Sequence, residues 1–112
     1  MGTFTLTNEY IGQPSNSDTD LVTCPANTQV IIKKCTATND TSTATTMTFN
    51  KIPSGGSAGD TNLVMNLRPI GPYETYECPE IVGMILTAGQ KLSGKMGAAN
   101  QVTVNVDSVR IV

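Results

Sequence analysis

Histidine and tryptophan are absent from this 112-residue chain, aromatic residues make up only 4% of it, and charged residues only 14%. The missing imidazole removes the commonest general base and a frequent zinc ligand. No apolar run approaches the roughly 18 residues that span a bilayer, so no membrane partner is expected. The opening "MGTFTLTNEY" has neither the basic start nor the apolar centre of a secretory signal, and Leu6 stands where a myristoylation pattern needs Ser or Thr. Clustered positive charge is lacking too: the net charge is −2, the pI is about 4.8, and Lys33-Lys34 is the only adjacent basic pair. A pair within a strand points to opposite faces, so direct nucleic-acid binding is not expected. The three cysteines, Cys24, Cys35 and Cys78, form an odd set without CxxC spacing. They read as small buried apolar residues of a chain made in a reducing cytosol.

What remains is β-forming. Short runs of Thr, Val and Ile are punctuated by six prolines and ten glycines, which favours strands and many turns. In "TFTLTNEYI", Phe4 and Leu6 fall on one face, and "DLVTC" (Asp20 to Cys24) follows as a short strand. "TQVIIKKCTATN" reads as a long strand with Ile31, Cys35 and Ala37 on a shared face. In "TATTMTFNKI", Thr45, Met47 and Phe49 alternate with polar residues, and in "NLVMNLR" so do Leu63, Met65 and Leu67. "PYETYEC" reads as a strand, and Pro79 is placed to start one helical turn before "AGQ" ends it. "KLSGKMG" and "QVTVNVDSVRIV" close the chain as strands. Val102, Val104 and Val106 share a face while Val109 and Ile111 take the other, a slip near Asp107-Ser108 that implies a bulge or a change of neighbour. The sum is one all-β domain over residues 1–112: an antiparallel, jelly-roll-like sandwich of about eight strands with at most one short helical turn. Residues 1–20 are a possible N-terminal arm, with a strand packed on the protein's own sheet as the equal alternative.

Candidate chemistry is thin. "PSGGSAGD" (Pro53 to Asp60) has the glycines of a phosphate loop but matches neither GxxxxGK[ST] nor GxGxxG. Strand alternation, not a helix, is expected after it, so it reads as a flexible connection. Lys91, Ser93 and Lys95 share a strand face that reads as solvated, and Glu74 and Glu77 face opposite ways, which spoils a carboxylate pair. Asp18 and Asp20 form a lone DxD that offers two carboxylates to calcium, short of a full ligand set. No catalytic residue, metal ligand or cofactor is therefore assigned, and the chain does not read as an enzyme.

Four pieces in order carry a resemblance: Ala37 to Thr41, a strand ending in a "TNxT" form; Pro53 to Ala58, "PSGGSA"; Leu86 to Gln90, a turn of "L.AGD" type; and Val102 to Val112, a valine-rich closing strand. Together, over roughly residues 26 to 112, the chain resembles small all-β virion proteins of tailed bacteriophages. Gln90 departs from the pattern, standing where an acidic residue is expected. The resemblance implies a virion structural protein made in the bacterial host cytoplasm, with the major capsid protein as partner. A capsid decoration or cement role leads; a neck or tail component, and a carbohydrate-binding attachment module using Tyr10, Tyr73 and Tyr76, are the alternatives. The thin apolar face of "TATTMTF" implies a dimer or trimer. Phe4, Leu6 and Tyr10, upstream of the matching region, are the candidate interface anchors.

Overall fold

A computed structural model describes residues 2–112, in which nine strands form two packed antiparallel sheets. The strands are β1 (Phe4–Gly12), β2 (Thr19–Thr23), β3 (Gln29–Asn39), β4 (Thr45–Ile52), β5 (Leu63–Ile70), β6 (Thr75–Tyr76), β7 (Ile85–Leu86), β8 (Lys91–Met96) and β9 (Val102–Ile111). The larger sheet runs β1-β9-β3-β6, with β7 also pairing β3; the smaller runs β2-β8-β4-β5. The fold is the expected all-β sandwich.

The core lies between the sheets. Val102, Val104 and Val106 of β9, Val30, Ile32, Cys35 and Ala37 of β3, and Leu86 of β7 project inward from the larger sheet. Met47, Phe49, Met65, Ile70, Leu92 and Met96 meet them from the smaller one. All three cysteines are free and buried, as their reading required. A hydrogen bond with Cys78, then burial, push the Cys35 thiol far up.

Simple alternation fails wherever a strand carries an extra residue. In β3 the pairing with β9 jumps from Ile32↔Ser108 to Lys34↔Asp107, leaving Lys33 as a bulge. The inward set therefore changes from Val30 and Ile32 to Cys35, Ala37 and Asn39, and Ile31 lies on the outer face instead of with Cys35. Leu67 departs in the same way: its left-handed φ of 51° turns it out, 60% exposed, while Met65 and Ile70 stay buried. The slip inferred at Asp107-Ser108 also resolves here. β9 itself alternates without interruption, and the bulges sit on its two neighbours at that level, Lys33 on β3 and Glu9 on β1.

Other local readings are corrected. "PYETYEC" contributes only the two-residue β6, because Tyr73 and Cys78 adopt left-handed φ and turn the chain away from β3. At Pro79 a turn forms in which Val82 N–H donates to Cys78 O at 3.2 Å, while the one short helix is a 3₁₀ turn at Asp60–Asn62. "PSGGSAGD" is a connection, as read, but it is anchored: Asn50 Nδ2 donates to Gly59 O at 3.0 Å and to Asn62 Oδ1 at 2.7 Å. Residues 4–12 form an edge strand of the larger sheet, paired along β9.

The Glu9 bulge swings its carboxylate inward, where only 4% of the side chain is exposed. Arg110 grips it through Nε at 2.8 Å and Nη2 at 2.7 Å, and Ser108 Oγ donates to it as well. Burial alone would raise the Glu9 pKa; the Arg110 and Ser108 hydrogen bonds and the Arg110 charge outweigh it and hold it below the ordinary 4.5. A depressed carboxylate pKa contributes stability that is complete above the unfolded value and lost as pH falls through the folded one. Urea unfolding of the native chain should therefore lose midpoint steadily below about pH 4.5. Glu9→Gln should cost about 2 kcal/mol at pH 7 and flatten that acid limb. An acid limb of unchanged steepness would remove Glu9 as its source.

Candidate functional site

The three anchors anticipated from the sequence separate at the Glu9 bulge. Phe4 and Leu6 stand on the outer face of the larger sheet, 72% and 85% exposed. Tyr10 lies beyond the bulge, pairs with Val106, and packs half-buried against the core. Only Phe4 and Leu6 belong to one surface.

That surface is wider than the sequence indicated. Directly opposed residues of antiparallel strands share a face, and the registers Leu6↔Val109, Ile31↔Val109 and Ile31↔Ile85 line up four apolar side chains across β1, β9, β3 and β7. With strands about 4.8 Å apart, the row spans roughly 14 Å. Phe4 and Ile111 lie beside it as the next opposed pair. Ile85 is half exposed, Val109, Ile31 and Ile111 are partly so, and among the described residues no strand covers the row. Val109 and Ile111 were legible as outward residues of β9. Ile31 was hidden by the Lys33 bulge, and Ile85 by the brevity of β7.

Farther along, the face turns polar. Asn8 Nδ2 donates to Asp107 Oδ1 at 2.7 Å and to Asn105 Oδ1 at 3.0 Å, and Lys34 stands opposite Asp107. An apolar end thus meets a hydrogen-bonded, charged stretch, beyond which Ile11, opposed to Asn105, is again exposed; such a mixed outer face suits docking against another protein surface.

The other candidates do not converge. Tyr76 tucks inward with Ala37, its O–H donating to both carboxylate oxygens of Glu80 and its ring under Arg68 at 4.0 Å. Burial and Glu80 push it up to about 12. Tyr73 is exposed, and Tyr10 stands on the opposite edge strand, so the three tyrosines make no common sugar platform. Asp20 is held by Lys91 Nζ at 3.3 Å, and among the described residues no three Asp, Glu, Cys or His side chains gather. Ser93 is buried rather than solvated, in register with Asn50 on the face that the 53–62 connection folds toward. No protein-family profile, no curated protein and no solved structure matches the chain.

The two phenylalanines test this division of surface from core. Phe49→Ala should cost about 3–5 kcal/mol, since Phe49 is fully buried. Phe4→Ala should change stability by no more than about 0.5 kcal/mol. Denaturant unfolding of both variants checks the pair; a comparable cost at Phe4 would mean that its side chain is packed.

Proposed function

We propose that this protein is a bacteriophage virion structural protein, a capsid decoration or cement protein that docks on the shell of major capsid protein and stabilises it. The exposed apolar row of Leu6, Val109, Ile31 and Ile85 supports this reading, because a row running across four strands fits a broad subunit surface better than a small ligand. The four sequence pieces that resemble phage virion proteins point the same way. Two packed antiparallel sheets in the orders β1-β9-β3-β6 and β2-β8-β4-β5 suit the jelly-roll-like sandwich expected from the sequence, an architecture common to capsid proteins and lectins. Fold alone does not choose between those uses; the scattered tyrosines disfavour the sugar. Each contact is modest, and many identical copies on a symmetric shell, assembled as dimers or trimers, multiply them.

Virions lacking this chain should assemble normally and release their genome at a lower temperature than complete ones. The double variant Ile31→Lys with Ile85→Lys should fold, yet bind such particles at least about tenfold more weakly, because it desolvates charge at the centre of the row. Genome release on heating, with and without added protein, reads both effects. Equal release temperatures, or a defect confined to tail attachment with few copies per particle, would favour a neck or tail component instead.

A further inference from the structure

We infer that the β1 edge pairs with the β1 edge of a second copy, Leu6 facing Leu6, to form a two-fold dimer with one continuous sheet. The hydrogen-bond phase of β1 is the first reason. Thr3 N–H donates to Val112 O at 2.8 Å, and Val112 N–H donates back to Thr3 O at 3.0 Å. Such reciprocal pairs alternate along an antiparallel ladder, so Thr5 and Thr7 also turn their amides toward β9. Phe4, Leu6 and Asn8 direct N–H and C=O outward, on the side where no strand of the sheet lies. A second β1 centred on Leu6 matches these groups in register: Leu6 with Leu6, Phe4 with Asn8, Asn8 with Phe4. Roughly six hydrogen bonds result, two for each pair.

Edge protection is the second reason. Natural edges are blunted by Pro, Lys, kinks or brevity. β5 has Pro69 and the left-handed Leu67, β2 has the Asp20–Lys91 pair, and β6 and β7 have two residues each. The stretch Phe4 to Asn8 has none of these devices, and every residue in it except the partly covered Thr7 is exposed.

Charge and shape are the third. No like charges face one another across the axis: Glu9 is turned inward onto Arg110, and Asp107 lies beside Asn8, which meets Phe4 of the second copy. A two-fold axis normal to the sheet keeps both outer faces on one side. The two apolar rows then join through Leu6 into a stripe of about 34 Å. A five-residue ladder buries less than the roughly 1,200 Å² of a permanent complex, so the copies exchange in dilute solution. The inference concerns the isolated chain and does not rest on the shell reading.

Sedimentation equilibrium between about 10 µM and 1 mM should show a reversible monomer–dimer equilibrium. Leu6→Pro removes an outward N–H that β9 does not use, so it should keep the native spectrum and melting temperature and remain monomeric throughout. Leu6→Cys should give a covalent dimer with diamide, because opposed α-carbons near 5.5 Å lie within disulfide reach and the three native thiols are buried. A native chain monomeric at about 1 mM, with no cross-link at Leu6→Cys, would overturn the inference. So would a dimer that survives Leu6→Pro but is lost in Ile31→Lys with Ile85→Lys, which would mean face-to-face stacking. If no dimer forms and Leu6→Pro abolishes particle binding that Leu6→Ala retains, the edge takes a strand from the shell, and the second copy is the wrong occupant.

Discussion

The ion pair between Glu9 and Arg110, 101 residues apart in sequence, fixes the arrangement on which the rest depends. It joins the first strand to the last at the end of the sandwich, where a valine core gives way to Ser108 and Arg110. A carboxylate this enclosed is tolerated because a bidentate guanidinium and a hydroxyl replace its water. To reach them Glu9 leaves the pleat, and the extra residue reverses the facing of β1. Tyr10 goes into the core, while Phe4 and Leu6 go outside. One interaction thus closes the sandwich and exposes its apolar edge.

Lys33 makes the same displacement on the other side of β9. Two bulges flanking one regular strand bend both neighbours together and keep the three in register above and below that level. The outer face is divided at this line. The apolar row lies on the side of the chain ends, and Asn8, Asp107, Asn105 and Lys34 lie on the other, with Ile11 exposed among them. Among the described residues, the apolar row on this outer face has no internal partner.

The strand content, the two-faced β9, the buried cysteines and the Met47–Phe49 core were legible because period-two alternation and β-branched composition are local signals. Ile31, Leu67 and Tyr10 were misplaced, or not separated from their neighbours, for one physical reason. A bulge adds a residue without changing composition, and nothing local in "NEY" or "IKKC" marks it. The segment from Pro72 to Cys78 failed differently, since Tyr73 and Cys78 take left-handed φ, which their residue types do not announce. That Phe4 and Leu6 share one face was readable from alternation. Their alignment with Val109, Ile31 and Ile85 is a property of register, which one sequence does not state.

The central claim is that the β1 edge is open in the monomer and closed when copies assemble. Amide hydrogen exchange at Phe4, Leu6 and Asn8, followed in dilute protein and again on assembled particles, tests it most directly. The account predicts rapid exchange at these three amides in dilute solution, with Thr5 and Thr7 protected between them, and marked slowing of all three once the protein is assembled. Protection already complete in dilute protein, or exchange that stays fast on the particle, would contradict it.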